Sequence, residues 1–198
     1  MLQLDFVDGT LGWRRRHGGG RGQAVAKAVG LRAGAKPPKV LDCTAGLGRD
    51  AFILASLGCV VHGLERSPVV AAALKDALQR AHTDSTTAEA LGGRLSFQHA
   101  DALLVLPELV ASIEPEVLYV DPMHPPRPKS ALVKKEMRLL REEVGVDVDA
   151  EDLVRLALEQ GVNRVVVKMP RRAKAWVREP QHQMMGRSTR FDIFLFSN

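Results

Sequence analysis

Leu41-Asp42-Cys43-Thr44-Ala45-Gly46-Leu47-Gly48-Arg49-Asp50 is the stretch that decides the fold. The apolar lead-in Val40-Leu41 predicts a strand, the small residues Thr44 to Gly48 a tight turn, and Asp50-Ala51-Phe52-Ile53-Leu54-Ala55 the first turns of a helix. Gly46 and Gly48 would let backbone amides approach a ligand closely, and the helix end adds a partial positive field, so the loop suits a nucleotide-like cofactor. Past this helix, the apolar run Cys59-Val60-Val61-His62-Gly63-Leu64 ends in Glu65. A carboxylate at the tip of a second strand is where an adenosine ribose is gripped through its hydroxyls. Asp42, inside the first strand, is expected to order the glycine turn and not to touch a ligand.

Gly46-x-Gly48-x-x-Ala51 also passes as a dinucleotide fingerprint, so these residues alone leave an NAD-linked oxidoreductase open. Farther on, Val117-Leu118-Tyr119-Val120 predicts a short buried strand that runs straight into Asp121-Pro122-Met123-His124-Pro125. An Asp-Pro-Pro-aromatic type of tetrad at the end of a fourth strand marks methyltransferases acting on exocyclic or amide nitrogen, and a dehydrogenase has no use for it. Together the two motifs favour S-adenosylmethionine over a nicotinamide.

The remaining pattern supports an α/β fold. Leu2 to Val7 alternates like an edge strand, a Gly/Arg-rich loop follows, and a helix is expected at about Gln23 to Val29. Strand Lys39 to Cys43 then leads into helix Arg49 to Leu57, strand Cys59 to Glu65 and helix Pro68 to Ala81. A polar loop through Thr83 to Thr87, strand Leu95 to His99, helix Leu103 to Ile113 and strand Val117 to Asp121 come next. Beyond a long connection, helix Ala150 to Gln160 stops at Gly161, strand Arg164 to Met169 follows, and Phe191 to Phe196 reads as a last, antiparallel strand. The expected architecture is Rossmann-like and doubly wound, of the class I S-adenosylmethionine-dependent methyltransferase type, with a mostly parallel seven-stranded sheet. Right-handed crossovers would bring the loops after the parallel strands to one edge. Residues 1–37 are expected to form an N-terminal basic segment with the edge strand and a helix, and residues 38–198 the catalytic domain.

Twenty of the 28 basic residues fall in three segments of the chain, whose net charge is +5. The first holds Arg14, Arg15, Arg16, Arg21, Lys27, Arg32, Lys36 and Lys39 without an acid. The second holds Arg127, Lys129, Lys134, Lys135, Arg138 and Arg141 against Glu136 alone. The third holds Arg164, Lys168, Arg171, Arg172, Lys174 and Arg178, again unopposed. A single such run is as readily a solvated face, but three, two of them just past strand ends, favour a polyanion, and nucleic acid is the natural candidate. Arg14 to Arg21 and Lys129 to Arg138 are expected to flank the catalytic edge and hold RNA phosphates. Trp13, beside them, would stack on RNA or pack on the sheet edge. Cys43 and Cys59 read as small core residues of a reduced protein, no His/Cys/Asp/Glu set has metal-ligand spacing, and no apolar stretch has the length of a membrane span, so a cytoplasmic protein without metal is expected. His62 and His99 lie in strands and read as core or rim residues.

These residues carry a more specific likeness. Gly18-Gly19-Gly20-Arg21-Gly22 with Ala24 to Gly30, Asp42 to Asp50, Leu64-Glu65-Arg66, Tyr119 to Met123, Lys129 to Arg138 and Arg190 to Ile193 resemble the bacterial 16S ribosomal RNA guanine-N2 methyltransferases of the J type. The resemblance spans nearly the whole chain and implies, as substrate, one guanine near the 3′ end of 16S ribosomal RNA, met in the RNA or in the small ribosomal subunit. It implies cofactor contacts at Arg49 and Asp50, at Glu65 and Arg66, at Asp101 and Ala102, and at Asp121. The pair at Asp101 and Ala102 is hydroxyl-bearing in relatives, so an adenine-amine contact through Asp101 is expected here, and His124 stands where an aromatic ring is usual. By the same likeness the chain begins where relatives have already built a small leading subdomain.

The chemistry follows from the substrate. The N2 lone pair of guanine is delocalised into the ring, so the enzyme must accept hydrogen bonds from the amine and position it. The Asp121 carboxylate and the Pro122 carbonyl are two such acceptors, His124 would stack on the base, and catalysis is mainly in-line positioning with no covalent intermediate. Asp121 as a strand-end cap, Glu65 as a surface acid and Asp50 as a carboxylate stabilised by the helix dipole are the plainer roles these residues could fill. A non-catalytic RNA-binding assembly factor on the same fold is a further alternative.

Overall fold

The structure, a computed structural model, describes residues 2–8, 11, 12, 14, 17–122 and 149–196. Its centre is β1 (Lys39–Asp42), flanked in parallel by β2 (Val60–Glu65) and β4 (Val117–Val120). Strands covered on both faces read as continuous apolar runs, and all four residues of β4 are buried. β3 (Leu95–His99) adds beside β2, β5 (Arg164–Pro170) beside β4, and the antiparallel pair β6 (His182–Met185) and β7 (Thr189–Leu195) completes the order β3-β2-β1-β4-β5-β7-β6. Strand order reverses between β1 and β4, where open α/β sheets leave a crevice at the carboxyl ends of the strands.

Helices cover both faces. On one lie α1 (Ala24–Ala28), α2 (Arg49–Ser56), α3 (Pro68–Thr83) and α4 (Ser85–Leu91), and on the other α5 (Ala102–Ile113) and α6 (Ala150–Glu159). α6 buries Ala150, Leu153, Val154, Ala157 and Leu158, the spacing of a one-sided amphipathic helix.

Three elements differ from expectation. Leu2 to Val7 is not a strand of the sheet: Leu4 and Phe6 are buried as the alternation implies, but the Asp5 carboxylate accepts the amides of Val7 and Asp8 and turns the chain. Phe6 instead stacks on Phe52, 5.0 Å between ring centroids, and on Phe97 at 6.1 Å. The seventh strand is β6, whose polar, mostly exposed His-Gln-Met-Met carries no apolar period because it borders solvent. The polar stretch Thr83 to Thr87 is a helix boundary and not a loop, since Asp84 caps α4 by accepting the Thr87 amide at 2.8 Å.

Candidate active site

The crevice at the strand reversal is a cavity of about 360 Å³. β1 ends in Asp42, β2 in Glu65, and β4 runs out into Asp121 and Pro122, so side chains distant in sequence meet at one rim. The loops that carry them are locked to each other. Asp42 accepts the Thr44 amide at 3.0 Å, and the Thr44 hydroxyl accepts the Asp121 amide at 2.6 Å. The Asp42 carboxyl therefore orders the turn as expected, and burial pushes its pKa up to about 8.

Glu65 serves the glycine turn as well as the cavity. One carboxylate oxygen accepts the Gly46 amide at 2.9 Å and the other the Ser67 amide at 2.7 Å. A carboxylate has about four lone-pair sites, and these two bonds fix the plane of the Glu65 carboxylate at the cavity wall. A Cβ at Gly46 (φ +53°) would make only an ordinary contact, 3.8 Å from the Thr44 carbonyl oxygen. Gly48 (φ +67°) is needed for packing: a Cβ there would lie 2.7 Å from Leu74 and 2.9 Å from Phe6.

The centre of the site is an ionic cluster. Lys168 of β5 donates to Asp121 Oδ2 at 2.6 Å and to Asp50 Oδ2 at 2.8 Å. Asp50 Oδ2 also accepts the Tyr119 hydroxyl at 2.9 Å, and Asp50 Oδ1 accepts from Arg14 at 3.1 Å. Burial alone would raise the Asp50 pKa, but the Lys168 and Arg14 cations outweigh it and hold it down to about 2. For Lys168 burial acts downward and the two carboxylates win, so the ammonium stays charged well above its usual range. Burial, with Asp50 close by, raises the Tyr119 hydroxyl and keeps it a donor.

Sequence reasoning placed Lys168 only within a basic run and did not single out Tyr119. A signal was present in both. A cation following Val165-Val166-Val167 in a covered strand must find carboxylates, and a tyrosine in the buried run Val-Leu-Tyr-Val needs a partner for its hydroxyl.

The other expected residues fall as follows. Gly46, Arg49, Asp50, Glu65, Arg66, Asp101, Ala102, Asp121 and Pro122 all line the cavity, while Gly48 does not and packs on Leu74, Phe6 and Phe97. Arg66 is paired with Asp149 at 3.0 Å, tying the end of β2 to the start of α6, and Asp101 caps α5 by accepting the Leu103 amide at 3.0 Å. Arg14 turns inward to Asp50 and Gln23, and Arg21 is exposed and donates to the Arg32 carbonyl. Trp13, Arg15, Arg16, His124, Lys129, Lys134, Lys135 and Arg138 lie outside the described residues. Cys43 and Cys59 are buried and free.

Among the described residues five carboxylates, with Asp42 keeping its proton as a sixth acid, line the cavity against four cations, and Asp50 lies in the first turn of α2. That field suits a cationic sulfonium and opposes a diphosphate, which needs a helix N-terminus clear of acids. With the Glu65 carboxylate fixed at the end of β2, the donor set fits S-adenosylmethionine. Among the described residues no group of three His, Cys, Asp or Glu side chains could hold a metal ion, and no helix is long and apolar enough to cross a membrane.

Comparison with known proteins agrees with this chemistry. The family model for SAM-dependent methyltransferases matches residues 1–196. The ribosomal RNA small subunit methyltransferase J of Brucella anthropi is 52% identical over 98% of this chain and 93% of its own length. The protein of the same name from Aeromonas hydrophila is 50% identical over 99% of this chain and 78% of its own. A crystal structure of a SAM-dependent methyltransferase from Neisseria gonorrhoeae superposes with a TM-score of 0.75 at 34% identity, covering 98% of this chain and 74% of that one. Matched from end to end by the family model and half identical to such relatives, the chain belongs to the SAM-dependent methyltransferases and, among them, to the ribosomal RNA small subunit methyltransferase J family.

Proposed function

We propose that the protein transfers a methyl group from S-adenosylmethionine to the exocyclic N2 of one guanine in 16S ribosomal RNA. The observation that carries this is the placement of Asp121-Pro122 at the cavity rim, with the Asp121 carboxylate held by Lys168 and its amide by Thr44. Glu65 would hold the cofactor's ribose, Asp101 its adenine amine, and the carboxylates around Asp50 would face its positive end. When bound, S-adenosylmethionine supplies a methyl group on a sulfonium, already a strong electrophile.

The protein's own part is positioning. Asp121 and the Pro122 carbonyl accept the two N–H groups of the guanine amine, which favours a pyramidal nitrogen and frees its lone pair. Lys168 fixes one Asp121 oxygen, so the acceptor does not swing away before the base arrives. Arg66 and Asp149, paired at 3.0 Å, hold the start of α6 against the end of β2 beside the cavity. Residues 38–198 would carry this chemistry and residues 1–37 a basic segment beside it. Such a substrate sets the place of action in the cytoplasm, with the small ribosomal subunit or its RNA as partner.

The acidic cavity disfavours an NAD-linked oxidoreductase, and the intact Asp121-Pro122 disfavours a non-catalytic assembly factor. Incubation with labelled S-adenosylmethionine and small subunits from a strain lacking the modification, followed by mapping, should place label on a single guanine N2. Label on another atom, or none, would refute the assignment. Asp121→Ala should abolish label while S-adenosylhomocysteine still binds.

A further inference from the structure

Away from the methyl-transfer cavity, three arginines line one polar hollow: Arg171 and Arg172, just beyond β5, and Arg187, in the turn between β6 and β7, with Ser188 beside them. All three are exposed, and among the described residues none of their guanidiniums has an ion pair. Like charges gathered without a carboxylate repel one another unless an anion is shared between them.

The backbone beneath them is already fixed. The Arg171 amide donates to the Ser188 carbonyl at 3.1 Å, joining the two turns, and the Gly186 amide donates to Thr189 at 2.8 Å, closing the hairpin. Below, buried Arg190 holds Asp192 through two bonds of 2.7 and 2.9 Å and directs its remaining nitrogen at the carbonyls of Pro170, Arg171 and Ala173. Arg190 thus belongs to the fold, whereas Arg171, Arg172 and Arg187 are exposed on the turns that these backbone bonds join. A site whose loop is ordered beforehand avoids much of the entropy loss of binding.

Its location matters too. β5 delivers Lys168 to the cavity and leaves the sheet at Pro170, so Arg171 stands about 10 Å of extended chain beyond Lys168, at the same edge of the sheet. Planar guanidiniums match phosphate oxygens in paired hydrogen bonds, better than ammonium groups do.

We propose that Arg171, Arg172 and Arg187 form a phosphate clamp that grips the RNA backbone beside the guanine entering the cavity, an inference that rests on the RNA substrate proposed above. Phosphate contacts position a nucleic acid without reading its bases, so the clamp sets affinity and register, and the cavity selects the base.

The test is fluorescence anisotropy with a labelled 16S ribosomal RNA transcript over a series of KCl concentrations, with S-adenosylhomocysteine titrated calorimetrically alongside. Replacing all three arginines by Gln should reduce the slope of log K against log[KCl] by about 2, and Arg172→Gln or Arg187→Gln alone by about 0.7, with S-adenosylhomocysteine affinity unchanged. An unaltered slope in a triple variant that still binds S-adenosylhomocysteine overturns the clamp and leaves methyl transfer standing. Should the triple variant lose that affinity, the slopes of the single variants decide. A wild-type protein that neither binds nor methylates the transcript or small subunits lacking the modification overturns the RNA substrate and the clamp with it.

Discussion

Lys168 touches two carboxylates at once, and that contact ties the acceptor Asp121 to the cofactor side of the cavity at Asp50. Lys168→Met would leave both acids facing each other without a cation. It should cost about 3 kcal/mol in urea unfolding and weaken S-adenosylhomocysteine binding, and Lys168→Arg should restore stability better than turnover, because a planar fork does not reproduce one nitrogen between two oxygens. Asp42 behaves oppositely to Asp50. Its folded pKa of about 8 lies above the ordinary 3.8, so the folded state keeps a proton that the unfolded chain releases, and its contribution to stability declines as pH rises from about 4 to 8. Asp50, held near 2, contributes stability above its ordinary 3.8 that is lost as pH falls toward 2. Asp42→Asn should therefore gain on the wild type as pH rises through that window, by up to about 1.4 kcal/mol per pH unit, in thermal unfolding at several pH values; a constant offset would contradict the buried proton. Glu65 and Asp121 were legible in the sequence because each ends a strand at a motif. The salt cluster was not, since Arg14, Asp50, Tyr119 and Lys168 come from four separate segments and only the sheet order brings them together.

The glycine turn shows how two similar residues in one element divide the work. Gly48→Ala would press a methyl on Leu74, Phe6 and Phe97 in a left-handed backbone, and should cost about 2–4 kcal/mol of stability. Gly46→Ala meets only the Thr44 carbonyl at 3.8 Å and should cost only about 1 kcal/mol, from backbone strain, while reducing S-adenosylhomocysteine affinity because it lines the cavity. Thermal unfolding and calorimetry on the two variants check the division, and equal losses of stability would refute it. Apart from α4, which the sequence reading passed over, helices and parallel strands were predicted to within a few residues because their apolar periods are long. Leu2 to Val7 was misread because burial of Leu4 and Phe6 against aromatic rings produces the same alternation as a strand, and β6 escaped notice because a border strand needs no apolar face.

Across the fold, the doubly wound order was written in the alternation of elements, and with it the rim at which β1 and β4 part. What the alternation could not specify was which strand would close the sheet. Among the described residues the two outermost strands are β3 and β6, and each is short and largely polar on its exposed positions. β7, by contrast, is the apolar Thr-Arg-Phe-Asp-Ile-Phe-Leu, flanked by β5 on one side and by only four residues of β6 on the other. Among the described residues that narrow strip is all that separates an apolar ladder from a second molecule, and its consequence is colloidal. Of two successive amides in an edge strand one faces the neighbouring strand, so Gln183→Pro combined with Met184→Pro should unzip the strip and turn concentrated protein turbid, with light scattering rising before any loss of helical circular dichroism. A clear solution at the same concentration would show that β7 needs no such guard.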